Sequence, residues 1–187
     1  MQMIRTIVGA TLAAAALAAS PAAAQTAEQG ATVTVQGGGF SYSREGGDLI
    51  PMGAVRVDWP VSRYLRAEVG GSYARPGTTM TRPIAQGVQE AYQTHSSLAT
   101  ATVGLQAQLP TRLATPYVGI ATGLFGRFDP TGGDRFIRPT QEVMAGLRVP
   151  VRGGIGLRGE LRYRMDQHQD GVTGSNMEHT LGVTIKL

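Results

Sequence analysis

The sequence closes on Met177-Glu178-His179-Thr180-Leu181-Gly182-Val183-Thr184-Ile185-Lys186-Leu187. From Leu181 onward every second residue is aliphatic: Leu181, Val183, Ile185 and Leu187. Between them stand Gly182, Thr184 and Lys186, which are small, polar or charged. Strict alternation is the period of a strand with one apolar and one polar face. An exposed apolar strand is an awkward edge for a soluble sheet. It suits a strand whose apolar side chains face lipid.

The other end of the chain points to the same compartment. Arg5 gives a short basic start, Ile7 to Ala19 is an alanine-rich apolar run, and Ser20-Pro21 breaks it before Ala22-Ala23-Ala24. That order predicts a secretory signal over residues 1–24, cleaved after Ala24, with one domain over 25–187. The apolar run is shorter than the roughly 20 residues a membrane-spanning helix needs. With no cysteine, the chain has neither a disulfide framework nor a lipid-modified cysteine. The formal charge of +4 falls to +3 when Arg5 leaves with the signal, and the surplus forms no basic patch. Nucleic-acid binding is not expected. No later segment has the apolar length of a spanning helix, so an exported chain of this kind is either soluble or a barrel.

Read in order, the chain alternates strands with polar connections. A first strand runs from Ala31 to Tyr42, expected to bend or bulge at Gly37-Gly38-Gly39. Leu49 to Trp59 sets Val55, Val57 and Trp59 against Ala54, Arg56 and Asp58. From Tyr64, Leu65, Ala67, Val69, Gly71 and Tyr73 alternate with Arg66, Glu68, Gly70, Ser72 and Ala74. Arg75 to Ser96 shows no alternation and reads as a long polar loop. Strands follow at Ser97–Leu109, Pro116–Phe128, Thr140–Val149 and Ile155–Met165, and then the terminal one.

This predicts about eight strands, the size of the smallest membrane barrels. Short turns carry a proline closely followed by arginine: Pro60 and Arg63, Pro110 and Arg112, Pro150 and Arg152. Longer connections lie at 76–96, 129–138 and 166–176. Short turns on one rim and longer loops on the other are the outer-membrane arrangement, with both termini in the periplasm. Tyr73, Phe125 and Tyr163 each fall eight residues into their strands. At about 3.3 Å per residue and a tilt near 40°, that is a climb of roughly 20 Å, close to the height of the apolar band. With Trp59, Tyr64 and Tyr117 at the other rim, two aromatic girdles are expected.

The polar faces carry Arg56, Asp58, Arg66, Glu68, Glu142, Arg148, Arg158, Glu160, Arg162 and Arg164. An arginine on the lipid face near the midplane costs about 2–4 kcal/mol, so these charges belong in the lumen. An eight-stranded lumen is barely wide enough for its side chains, so the charges must pair, forming a structural network. Adjacent strands suggest Arg56 with Glu68, and Glu142 and Arg148 with Arg158 and Glu160. Such an interior resembles the OmpA-like and opacity-like small barrels. The stretch Leu157 to Tyr163 (LRGELRY) looks like the penultimate strand of that family and Pro116 to Gly119 (PYVG) like a middle one. The closing strand resembles the C-terminal signature of outer-membrane barrels, although Leu187 stands where an aromatic is usual. The resemblance implies an outer-membrane location and recognition of the last strand by the barrel-assembly machinery. The larger OmpA proteins carry a separate peptidoglycan-binding domain, and tethering to the cell wall is not carried over.

Chemistry finds little support. His168, Asp170 and Ser175 share the last connection, His179 opens the final strand, and His95 neighbours Ser96 and Ser97. A nucleophile needs a base held within hydrogen-bond reach and a third group orienting it. These residues fall mostly in loops, so no catalytic residue is expected. Three histidines without cysteine offer no metal-ligand spacing, and Gly37-Gly38-Gly39 lacks the lysine and helix of a phosphate loop. No cofactor or metal is expected.

The sequence thus reads as an all-β, eight-stranded antiparallel up-and-down transmembrane barrel in the bacterial outer membrane. Its expected role is structural or adhesion-like, with outer-membrane lipid around it and an extracellular ligand reached through its loops. Three rivals remain: a narrow passive pore, a lipid-modifying barrel enzyme, and a soluble periplasmic barrel whose aliphatic face encloses a ligand. Periodicity does not distinguish inside from outside.

Overall fold

The computed structural model describes residues 30–42, 49–85, 88–111, 113–128, 135–167 and 173–187. The segment expected to be an export signal, the turn expected at 45–48, Arg112, residues 129–134 of an expected loop, and His168 and Asp170 lie outside the described residues.

Among the described residues ten strands follow in chain order: β1 (Thr32–Tyr42), β2 (Leu49–Pro60), β3 (Leu65–Ala74), β4 (Gly77–Ala85), β5 (Val88–His95), β6 (Ser97–Gln108), β7 (Thr115–Phe128), β8 (Phe136–Arg152), β9 (Ile155–Gln167) and β10 (Thr173–Lys186). Eight close into a barrel in the order β1-β10-β9-β8-β7-β6-β3-β2, and β4 and β5 pair separately as a hairpin. Barrel neighbours are antiparallel, and the closing seam pairs β1 with β10 from Thr32–Lys186 to Tyr42–Asn176. The barrel has no free edge.

Alternation sets the facing. Val35, Val55, Val69, Ile120, Val143, Leu161 and Leu181 all point outward and are exposed, so an aliphatic belt surrounds the barrel. Arg56, Glu68, Glu142, Arg158 and Arg162 point inward and are almost fully buried. A barrel with charges inside and aliphatics outside is solvated by lipid, which removes the soluble ligand-binding alternative. No helix among the described residues is long and apolar enough to cross a membrane; the strands do the crossing.

Tight turns join the strands at one rim. In the β2–β3 turn the Val61 and Ser62 amides donate to the Leu65 carbonyl. The β8–β9 turn places Gly153 and Gly154 at φ 60° and 81°, the left-handed conformation of a two-residue hairpin turn.

Several expectations need correction. Arg75–Ser96 is not a loop throughout: β4 and β5 pair from Gly77–His95 onward. This hairpin pairs as a sheet of its own, apart from the closed barrel, and its segment carries no period-two alternation that could reveal it. The glycines of β1 make no bulge, because its register with β10 and β2 runs unbroken. Gly38 instead permits close approach, since a β-carbon there would run into the His179 carbonyl. The barrel strands also reach past the expected boundaries: β8 starts at Phe136, β9 ends at Gln167 and β10 starts at Thr173.

The aromatic girdles are thinner than expected. Tyr64, Tyr73 and Tyr163 face outward, but Tyr117 and Phe125 are buried in the lumen at 3% and 1% exposure. Val118, Ile120, Leu124 and Phe128 occupy the outward positions of β7. That aliphatic row fixes the parity and turns both aromatics inward.

Candidate functional site

Among the described residues polar and charged side chains converge in the lumen, which is built in tiers. At the short-turn end Asp58 accepts from Arg66 Nε at 3.1 Å and from Arg148 Nη2 at 3.2 Å. Arg66 also donates to Thr32 Oγ1 at 2.9 Å. Next comes Tyr117, whose hydroxyl accepts from Arg158 Nε at 2.8 Å and donates to Glu160 at 2.6 Å. Arg158 also pairs with Glu68 and Glu160.

Arg162 forms the hub. Its Nε donates to Glu160 at 2.5 Å and Nη1 to Glu142 at 2.9 Å, while Nη2 reaches Glu68. Above it, Arg164 Nε donates to Glu142 at 2.9 Å and Nη2 to Glu178. Glu178 also accepts from Arg56 Nη2 at 3.0 Å and from the Ser72 hydroxyl at 2.9 Å.

An apolar cap fills the loop end. Phe40, Ile50, Met52, Ala54, Ala74, Leu98 and Phe125 form one buried cluster, with Phe136 packed against it. The Phe125 ring centroid lies 6.4 Å from that of Phe40 and 6.0 Å from that of Phe136. Arg164 joins cap to network, its guanidinium carbon 5.3 Å from the Phe40 ring centre and 5.2 Å from that of Phe125. The sequence reading assigned aliphatic and aromatic residues to lipid, so it missed this cap.

Of the ten charged residues singled out in the sequence, nine are buried in the lumen and Arg148 is nearly so, its side chain 13% exposed. The pairing differs from the adjacent-strand expectation. Across the β2–β3 ladder Arg56 stands opposite Gly70 and Asp58 opposite Glu68. Arg56 instead reaches over to Glu178 and, at 3.7 Å, Glu160. A β-carbon on Gly70 would meet the Arg56 stem at 2.6 Å, so glycine makes the room.

Arg148 stands directly opposite Arg158, a like-charge pair that would be destabilising alone. Two features relieve it. Tyr117 presents its ring to both guanidinium carbons, at 4.2 Å and 5.0 Å, and Asp58 lies 3.2 Å and 3.8 Å from their nitrogens. Gly146 leaves space for the Tyr117 hydroxyl. Glu178, Tyr117, Ser72 and Gln106, whose Nε2 donates to Glu68 at 2.5 Å, were missed as network members. Glu178 was legible, since it shares the inward parity of Thr180 and Thr184 on the terminal strand.

The architecture and the compartment now have an independent match. Residues 10–186 match the family described as outer membrane protein beta-barrel domain. The chain belongs to that family. Among curated proteins no sequence match was found. Similar solved barrels include Neisserial surface protein A (TM-score 0.62, 16% identity, covering 85% of this chain and 97% of that one). The attachment invasion locus protein Ail of Yersinia pestis, in complex with the heparin analogue sucrose octasulfate, matches at TM-score 0.51 and 11% identity, covering 85% and 97%. The outer membrane enzyme PagL matches at TM-score 0.50 and 10% identity, covering 83% and 99%. The fold is therefore shared by surface proteins and by an enzyme, and membership alone does not assign activity.

The barrel's outer face holds the one titratable candidate whose side chain is described. His179 points outward and lines a shallow dent with Gly37, Gly159, Leu161 and Leu181, about 430 Å³ in volume. Its ladder partners, Gly39 on β1 and Leu161 on β9, bring no nucleophile opposite it. Ser96 is buried and bonded by Arg127 at 3.0 Å, and Ser97 faces the Tyr73 hydroxyl at 3.0 Å. Ser175 lies on β10 and His95 ends β5. Among the described residues no three His, Cys, Asp or Glu side chains gather as metal ligands.

Proposed function

We propose that this outer-membrane barrel neither catalyses nor conducts, and serves as a rigid anchor with a structural or adhesion-like role. The observation carrying this reading is the filled lumen: an apolar cap over six arginines (56, 66, 148, 158, 162, 164) and five carboxylates (58, 68, 142, 160, 178). A narrow bore so packed leaves no aqueous path. The β4–β5 hairpin rises between β3 and β6 on the long-loop side, which faces outward from the cell in such barrels. It is the natural contact element for an extracellular ligand. The terminal strand would be read by the assembly machinery, and surrounding lipid completes the set of partners.

The test uses a strain lacking the chain, complemented by wild type or by a form with residues 77–95 replaced by Gly-Gly. Pro76 and Ser96 are already joined by a 3.2 Å backbone hydrogen bond, so the shortened barrel should still migrate as a heat-modifiable band. Wild type should restore both detergent resistance and surface adherence, and the shortened form only the first. The purified protein should give no conductance steps in planar bilayers. Conductance steps, or full adherence without the hairpin, would overturn the proposal.

A further inference from the structure

The short-turn end of the lumen carries more positive charge than its one carboxylate balances. Deeper in the barrel Arg56, Arg158, Arg162 and Arg164 face Glu68, Glu142, Glu160 and Glu178, four against four, all of them buried. At the short-turn end Arg66 and Arg148 divide Asp58 between them, Arg66 Nε at 3.1 Å from one oxygen and Arg148 Nη2 at 3.2 Å from the other. Among the described residues these two arginines reach no other acid. Arg158 leans toward the same carboxylate, its Nη1 3.8 Å from Oδ1. Three guanidiniums thus converge on one negative charge.

Two of them keep an N–H group without an acceptor among the described residues. Arg148 gives Nη1 to Gln108 at 3.3 Å and Nη2 to Asp58 and Gln106, which leaves Nε unpartnered. Arg158 gives Nε to the Tyr117 hydroxyl and Nη2 to Glu68 and Glu160, which leaves Nη1 without a hydrogen bond. Arg158 is fully buried, so bulk water does not serve that donor. The two arginines stand directly opposite on the β8–β9 ladder, over the one Tyr117 ring. The same row continues through Gly182 to Gln36. Gln36 is buried with its stem over Gly182, and neither atom of its amide has a partner.

A buried donor left unsatisfied costs about 1–3 kcal/mol, and an uncompensated buried charge costs more. A single monovalent anion answers both, because it accepts from several N–H groups and cancels the surplus charge. Water would serve the donors and leave the charge. The side chains of Arg66 and Arg148 are 11% and 13% exposed, so this tier opens to the short-turn rim, the periplasmic side of such barrels. Farther in, Arg162 tied to Glu68, Glu142 and Glu160 closes the bore.

We propose that the periplasmic end of the lumen binds one small inorganic anion, a halide such as chloride, between Arg148 and Arg158. The site is blind, so binding requires no conduction, and it does not depend on the anchoring role.

The folded chain in detergent is titrated from sodium gluconate into sodium chloride at a constant ionic strength of about 0.2 M, so that screening does not change. Stability is followed by urea unfolding, read from Trp59 fluorescence and heat-modifiable migration. At chloride four times its dissociation constant the folding equilibrium should rise about fivefold, along a saturating curve. Bromide should replace chloride, and crystals grown in bromide should show an anomalous peak beside Arg148 and Arg158. Arg148→Gln removes the surplus charge and one open donor, and should abolish the chloride dependence. Arg164→Gln, at the loop end of the lumen, should keep it. Equal stability in chloride and gluconate would overturn the proposal, as would a chloride dependence that survives Arg148→Gln or disappears in Arg164→Gln. Density at the site without a bromide signal would mean water only, and would overturn it too. Should Arg148→Gln fail to fold, the wild-type titration and the bromide peak still decide.

Discussion

Replacing Arg162 by methionine tests the luminal network where it is densest. Arg162 is 1% exposed and reaches three carboxylates: Glu160, Glu142 and Glu68. Breaking a buried ion pair by removing one partner costs about 3–5 kcal/mol when the other charge is left uncompensated. Here each acid keeps another arginine: Glu142 keeps Arg164, and Glu68 and Glu160 keep Arg158. Methionine also fills much of the vacated volume. The lower end applies, about 3 kcal/mol, or roughly a hundredfold in the folding equilibrium.

The assay is urea unfolding in lipid or detergent, followed by Trp59 fluorescence and heat-modifiable migration. Stability is read from midpoint and slope. Arg148→Met provides the contrast. Arg148 is 13% exposed on its side chain and shares Asp58 with Arg66, so its loss should cost only about 1 kcal/mol. Adding Glu142→Met to Arg162→Met should reveal a coupling of about 1–3 kcal/mol. A loss for Arg162→Met under about 0.5 kcal/mol, or one no larger than that for Arg148→Met, would refute the hub reasoning.

Two further predictions probe the facing of the strands. Phe125→Ala opens the luminal cap and should cost about 3–5 kcal/mol by the same urea assay. Phe128→Ala, three residues on and facing outward at 44% exposure, should cost about 1 kcal/mol, and equal losses would show that the parity of β7 is misplaced. Leu161→Arg puts a charge on the outer face and should lose about 2–4 kcal/mol in bilayers, against about 0–1 kcal/mol for Leu187→Arg at the rim. Indistinguishable losses at these two positions would mean that the aliphatic belt does not face the hydrocarbon.

Much of the architecture was legible because a membrane barrel imposes two local rules on every strand. Period-two alternation and short turns at one end are properties of single segments, visible in Leu181–Leu187 or Tyr64–Ala74 without knowledge of any partner. The ten charged residues could be gathered on the same ground, since each shares the polar face of its own strand. Glu178 belonged with them and could have been found by carrying the terminal alternation three residues further back.

The amino-acid sequence by itself therefore determined the strand class, the up-and-down barrel topology and most of the residues that share the charged face of each strand. Only the tertiary structure decided who pairs with whom. Arginine is long and the bore is narrow, so Arg56 passes over Gly70 to Glu178 on a strand 122 residues away in the chain. Closure likewise brought Phe40, Ile50, Leu98 and Phe125 from four strands to one end of the lumen, where each supplies the buried surface that none could find alone. The β4–β5 hairpin stayed hidden because its segment, paired as a sheet apart from the barrel, carries no period-two alternation.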